Sequence, residues 1–387
     1  MTSLFLPNPD RSIASYRMSG TPIRLEKRRA KDFNRVAFAA AHVVADPFAD
    51  NDPWLAPAID WDSTLRFRHR LWDLGLGVAE AMDTAQRGMG LTWRDAQELV
   101  SRSLKEAAGR DDAIIACGVG TDHLEDKLYS IDEIVDAYQE QLDFVQGEGG
   151  QVILMASRAL ARSAASIDDY LFVYSRVLSG ARDKVIIHWL GEMFDPALVG
   201  YWGSPDHLEA MNTCLQMMSD NREKIDGIKV SLLSKEKEIA MRRRLPPGVR
   251  MYTGDDFNYA ELIAGDEQGY SEALLGIFDA IAPAASQALA SLKRGADNEF
   301  FHVLEPTVAL SRHIFRAPTR FYKTGIVFLA YLNGLQDHFT MVGGQESARS
   351  TLHFADLFRL ADRAHVLSDP DLAAARMKTF LATRGIH

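Results

Sequence analysis

The 387-residue sequence predicts a (β/α)8 barrel, an α/β fold, with an N-terminal arm and a C-terminal helical extension. Two observations carry that expectation. Eight short apolar runs recur along the chain, and amphipathic stretches of helical length separate most of them, the signature of a closed parallel sheet wrapped by helices. A third observation weakens the open, dinucleotide-binding alternative: no GxGxxG follows the first apolar run.

Taken in order, residues 1–34 are polar and basic, end in "RLEKRRAKDFN", and read as an arm packed on the domain surface. Residues 35–295 hold the strand candidates: "RVAFAAAHVVA", "GVAEAM", "AIIACGVG", "QVILMAS", "KVIIHWLG", "DGIKVS", "RMYTGDD" and "GYSEALLG". Between them, "WRDAQELVSRSLKEAAG" sets Ala96, Leu99, Val100, Leu104 and Ala107 on one stripe at the helical repeat. "SIDEIVDAYQEQLDFVQ" and "SIDDYLFVYSRVLSG" each open on a serine suited to cap a helix. Residues 296–387 read as helical throughout.

Composition narrows the function. Hydrophobic residues make up 47% and charged residues 25%, enough for an ample core without disulfide or metal staples. A net charge of −10 argues against nonspecific binding to nucleic acid or anionic membranes. The two cysteines, Cys117 and Cys214, are far apart and lack a CxxC pattern, so neither a disulfide framework nor a zinc–thiolate site is expected. With no secretory leader and no membrane-length apolar run, a cytoplasmic location is expected.

Strand parity then selects candidate site residues. Alternate side chains of a barrel strand face the interior, and a charge facing the apolar helix layer is costly, so charged residues should mark the inner face. That rule puts Gly227, Lys229 and Ser231 inside, together with Ile186, His188 and Leu190. It likewise turns Glu80, His42, Val44 and Asp46 inward. Polar interior groups near strand C-termini are where barrel enzymes carry their chemistry.

With these residues placed, the chain resembles the dihydrodipicolinate synthase and N-acetylneuraminate lyase superfamily of class I aldolases, as a divergent branch. The resemblance rests on the order and spacing of several segments. "DGIKVS" is similar to the sixth-strand segment that carries the Schiff-base lysine, which falls on Lys229. "KVIIHWLG" matches the fifth strand and places His188 where the family has a tyrosine. "GVAEAMDTAQ" matches the second strand and its Gly-Thr-Thr-Gly-Glu loop, with Asp83 at the first threonine, Thr84 at the second and Gln86 at the glutamate. "YTGDDFNYAELIAG", "GYSEALLG" and "FRAPTRFYKTGIVFLAYLNG" follow the seventh strand, the eighth strand and the helix after the barrel. The resemblance implies an iminium-forming lyase, aldolase or dehydratase that needs no cofactor, assembled as a homodimer or homotetramer. Its substrate would be a keto acid or sugar-derived carbonyl compound.

The expected roles follow. Lys229 is the nucleophile, because burial disfavours its charged form and an uncharged amine attacks carbonyls. His188 and Thr84 would move protons. Asp83, Glu80, Arg158, Asp255, Asp256 and Ser271 would bind substrate, although Asp83 would repel a keto-acid carboxylate. The plain alternative for Lys229 is a structural ion pair with Glu80 or Asp256. Two other readings compete: a metal-dependent isomerase, epimerase or class II aldolase using Glu80, Asp83, His42 and His188, and a noncatalytic binding barrel.

Overall fold

The computed structural model describes residues 2–386 and contains ten strands among them. Strands β1 (Ser3–Pro7) and β2 (Ile13–Arg17) form an antiparallel hairpin. The remaining eight are β3 (Ala37–Ala40), β4 (Gly77–Glu80), β5 (Ile115–Val119), β6 (Gln151–Leu154), β7 (Val185–Leu190), β8 (Ile225–Ser231), β9 (Arg250–Thr253) and β10 (Glu272–Leu275). They are parallel and consecutive, and β10 closes against β3 to complete the barrel. Each of the eight apolar runs contributes one of them. The first is shorter than its sequence suggests, because the chain leaves the sheet after Ala40.

Helices follow every barrel strand, as right-handed parallel connections require. The stripe on Trp93–Ala108 is buried at Ala96, Leu99, Val100 and Ala107, and Ser103 joins it. Ser130 caps Ile131–Gly147: its hydroxyl accepts from Glu133 N–H at 3.3 Å, and its own N–H donates to the Glu133 carboxylate at 2.7 Å. At Ser166 only the second half of that exchange has good geometry, with Ser166 N–H donating to Asp169 at 3.1 Å.

Inside the barrel, Phe38, Ile153, Ile186, Tyr252 and Leu274 pack among Ala40, Ala79 and Ala116. The alanines leave room for the Phe38 and Tyr252 rings, whose centroids are 6.3 Å apart. Truncating Ile186 in this close-packed layer would cost about 2–5 kcal/mol. The lower barrel is therefore a plug, and the open end is the C-terminal mouth of the strands.

After Lys293 the chain is helical, with Asp297–Ile314, Tyr322–Leu332, Thr351–Arg363 and Pro370–Thr383. Every residue of Tyr322–Leu332 is buried, Lys323 and Thr324 included, so this helix is covered on all sides and forms the centre of the region. The hairpin docks here as well. Tyr16 donates its hydroxyl to Asp362 at 2.8 Å, and the Ser19 and Gly20 N–H groups donate to the same carboxylate at 2.9 and 3.0 Å. No helix among the described residues is long and apolar enough to cross a membrane.

Candidate active site

Lys229 is the third residue from the end of β8, and its neighbours in register are His188 on β7 and Tyr252 on β9. Parity holds on this strand: a Cβ added to Gly227 would meet the interior Tyr252 ring at 2.6 Å. Lys229 is buried, and burial lowers its pKa, partly offset by the charges of Asp256 and Asp83. Among the described residues its Nζ has no hydrogen bond or ion pair. The ion pair considered for it, with Glu80 or Asp256, does not form.

His188 is also buried. Its Nε2 lies 3.2 Å from Ser231 Oγ, and its Nδ1 has no partner. Burial, reinforced by Lys229, drives its pKa well below the usual imidazole range, so the ring is neutral. Ser231 stands two residues beyond Lys229 on the same face. Space for both is made by Gly254 at the end of β9. A Cβ at that position would sit 2.3 Å from Ser231 Oγ, 2.8 Å from Lys229 Cε and 2.8 Å from the Val230 carbonyl oxygen.

Carboxylates lie on the opposite side. Asp256 follows β9 and accepts from Ile277 N–H at 2.8 Å; burial, opposed by that bond and by Lys229, pushes its pKa up to about 7. Asp83 opens the turn after β4, lines the mouth, and makes no side-chain hydrogen bond among the described residues. The neighbouring Thr84 hydroxyl is 2.8 Å from the hydroxyl of Tyr322, which arrives from the helical region beyond the barrel. The Tyr322 ring stacks on Phe315 with centroids 4.3 Å apart.

A cleft of about 540 Å³ opens above this centre, walled by the loops after β4, β5, β6 and β7. Asp83 and His188 line it, whereas Lys229 does not. Arg158 forms part of the wall, with its Nε donating to Asp195. Arg87, at the edge, is fully committed: it binds the Asp122 carboxylate, Gly118 O at 2.7 Å and Gln141 Oε1 at 2.6 Å, tying the ends of β4 and β5 together.

Several expected site residues lie elsewhere. Glu80 points into the helix layer, not the barrel. Arg68 of the helix Trp61–Asp73 donates to both its oxygens at 2.9 Å, and Ser103 adds a bond at 2.7 Å. The parity rule failed here because the helix layer carries a buried counter-charge. His42 lies beyond the end of β3, as do Val44 and Asp46, so strand parity does not reach them. The His42 ring packs on Phe67 at 4.4 Å and its Nδ1 meets Asp279 at 2.8 Å. Glu80, His42, Asp83 and His188 therefore do not converge, and among the described residues no group of three or more His, Cys, Asp or Glu side chains is arranged to hold a metal.

Asp255 is consumed by its own turn, accepting from Phe257 N–H, Asn258 N–H and the Asn258 amide at 2.7–3.1 Å. Ser271 precedes β10, at the strand end remote from the mouth, and donates to Glu238 at 2.7 Å. Gln86 is buried and donates to Val342 O at 2.8 Å, which ties the turn to the helical region.

Sequence reasoning missed Tyr322, Gly254 and Lys323. Gly254 and Tyr322 stood inside quoted segments, but nothing in periodicity assigns a helix residue far beyond the barrel to its mouth. Lys323 is a second buried amine, lowered to about 8 by burial and held by Arg320 O at 3.2 Å and Met89 Sδ at 3.3 Å.

Residues 4–386 match the model of a family described as protein of unknown function, DUF993, and the chain belongs to that family. No curated protein matches it. Among solved structures, dihydrodipicolinate synthase from Aquifex aeolicus aligns with TM-score 0.64 at 12% identity, covering 86% of this chain and 98% of that one. The enzyme from Oceanobacillus iheyensis gives 0.62 at 14%, covering 86% and 96%. The chloride-inhibited enzyme from Acinetobacter baumannii, solved with pyruvate, gives 0.63 at 14%, covering 86% and 99%. The resemblance read from the sequence thus holds at the level of the barrel fold.

Proposed function

We propose that this chain is a Schiff-base-forming lyase, an aldolase or dehydratase, acting on a keto acid or sugar-derived carbonyl compound. The observation that carries the reading is Lys229: a buried amine with no partner among the described residues, in register with His188 at the C-terminal mouth of a barrel. A lysine kept only for structure would be paired, because a buried ammonium without a partner is costly. An amine whose charged form is disfavoured is the species that attacks a carbonyl.

In this reading Nζ adds to the carbonyl carbon, the carbonyl oxygen leaves as water, and the resulting iminium withdraws electrons from the adjacent carbon–carbon or carbon–oxygen bond. His188, neutral and beside the amine, accepts and returns protons with Ser231 as its hydrogen-bond partner. Thr84 presents a hydroxyl from the opposite side, Asp83 and Asp256 bind substrate polar groups, and Arg158 contacts the far end from the cleft wall. The fold shared with dihydrodipicolinate synthases supports the class of chemistry; assembly into a dimer or tetramer is proposed on that likeness alone.

The test is borohydride trapping with a panel of keto acids and ketoses, followed by peptide mass spectrometry. A reduced adduct on Lys229, absent from Lys229→Ala, is the expected result. Failure of every carbonyl to label Lys229 would sink the reading, and labelling of Lys323 instead would move the chemistry to the second buried amine.

A further inference from the structure

The groups around Lys229 also select among carbonyl compounds. We infer that the site takes a neutral carbonyl compound bearing hydroxyls next to the carbonyl, a hydroxyketone or hydroxyaldehyde, and discriminates against 2-keto acids, with Asp83 as the specificity-determining residue. This inference rests on the Schiff-base reading and deepens it.

Two carboxylates flank the nucleophile. The charges of Asp256 and Asp83 are the ones Lys229 feels. Asp256 spends one oxygen on Ile277 N–H. Asp83 spends neither oxygen on a protein donor among the described residues, and it lines the cleft through which substrate arrives. An anionic acceptor held free beside the reacting carbon suits a hydroxyl, which donates to it, and repels a carboxylate at the same place.

Three cations near Asp83 make their contacts with other groups. Arg158 feels the charge of Asp83, yet its ion pair is with Asp195. Lys323 feels it too, but its Nζ points at Arg320 O and Met89 Sδ and forms no ion pair among the described residues. Arg87 is saturated by Asp122 and by carbonyl groups. None of these three forms an ion pair with Asp83, nor does Arg320, which also lines the cleft and pairs with no carboxylate among the described residues, so a second carboxylate next to Asp83 would meet a charge that no direct contact cancels.

The donor side fits the same substrate. Thr84 Oγ1 and Tyr322 OH are 2.8 Å apart and buried, and each is the other's hydrogen-bond partner. Two hydroxyls sharing one bond use one proton between them and keep one O–H to offer. The pair is fixed close to Asp256: a Cβ at Gly276 would lie 3.4 Å from Thr84 Oγ1 and 3.1 Å from the Tyr322 ring, and the next residue, Ile277, holds Asp256. An acceptor at Asp83 and a spare O–H at Thr84–Tyr322 together match a group that both donates and accepts. A hydroxyl does this and a carboxylate does not.

The test compares three carbonyl probes, pyruvate, methyl pyruvate and dihydroxyacetone, by the rate of reductive trapping on Lys229 in the full chain and in Asp83→Asn. Rates are read as ratios between the two proteins, so that intrinsic carbonyl reactivity cancels. The substitution keeps shape, and with no protein partner to lose the variant should melt with the parent. The expected result is that Asp83→Asn speeds pyruvate relative to methyl pyruvate about 10²-fold and slows dihydroxyacetone. An Asp83→Thr variant should shift the ratios the same way, and it decides the matter should the asparagine variant fail to fold. Unchanged ratios in a folded variant that still labels Lys229 overturn the assignment to Asp83 and leave the Schiff-base reading standing. No adduct from any probe in the parent chain overturns both.

Discussion

Replacing Glu80 with alanine separates a structural carboxylate from a catalytic one. In the native chain its two oxygens take both Arg68 bonds at 2.9 Å, the Ser103 hydroxyl at 2.7 Å and the Ala81 N–H at 2.8 Å. Neither Glu80 nor Arg68 is exposed at all. Truncation leaves a guanidinium buried with only the carbonyls of His42 and Thr64 to receive it. Orphaning one member of a buried pair costs about 3–5 kcal/mol. A chain of this length unfolds with an entropy of roughly 0.8 kcal/mol/K, so that loss lowers Tm by about 4–6 °C. Calorimetry with a parallel urea titration measures it, and trapping at 25 °C reports Lys229 in the same preparations. The expected variant melts early and still labels Lys229 within a few-fold of the parent. A Glu80→Ala protein that melts with the parent but no longer labels would refute the orientation of Glu80 and return it to the site.

Other outcomes follow from the same geometry. Gly254→Ala drives a methyl against the Val230 carbonyl and Lys229 Cε at 2.8 Å each; overpacking of about 1–3 kcal/mol and a displaced amine should slow trapping roughly 10²-fold, measured beside the melting curve. The trapping rate should rise with pH through a midpoint below 10.5, since burial lowers the Lys229 pKa and only the uncharged amine reacts; a midpoint at or above 10.5 would contradict that burial. Glu238, between Ser271 at 2.7 Å and Thr253 at 2.9 Å, is raised to about 8 by burial, against 4.5 for an ordinary glutamate. Between those values the native state keeps a proton that the unfolded chain releases, so stability falls as pH rises from about 4.5 through about 8. Glu238→Gln should flatten that slope in urea titrations, and an unaltered slope would assign it to other groups.

Much of the fold was legible because each barrel strand is a short apolar run bounded by a helix with its own stripe and cap. The nucleophile was legible for a related reason: on β8, Ile228 and Val230 face the helices and leave Lys229 inside. The same parity rule misplaced Glu80, since it treats the helix layer as uniformly apolar and cannot see Arg68, twelve residues upstream, arriving from the adjoining helix. Asp255 and Ser271 failed differently. Their segments were located correctly, but which neighbour claims a carboxylate or a hydroxyl depends on turn geometry that residue spacing does not encode. Tyr322 lay beyond reach altogether, because its contact with Thr84 spans 238 positions and has no periodic signature.

The docking of β1–β2 on the helix Thr351–Arg363 bears on how the chain is made. Tyr16 and Asp362 are 346 positions apart, and a ribosome adding about 5–20 residues per second needs roughly 20–70 s to cover that interval. Through that time the hairpin exists without the surface that later covers Leu4 and Leu6, both buried in the finished fold. Two strands alone are marginal in water, so the hairpin gains its order last although it is translated first. The pace of translation, more than the height of any folding barrier, then sets how long these apolar side chains stay open to chaperones and to neighbouring nascent chains.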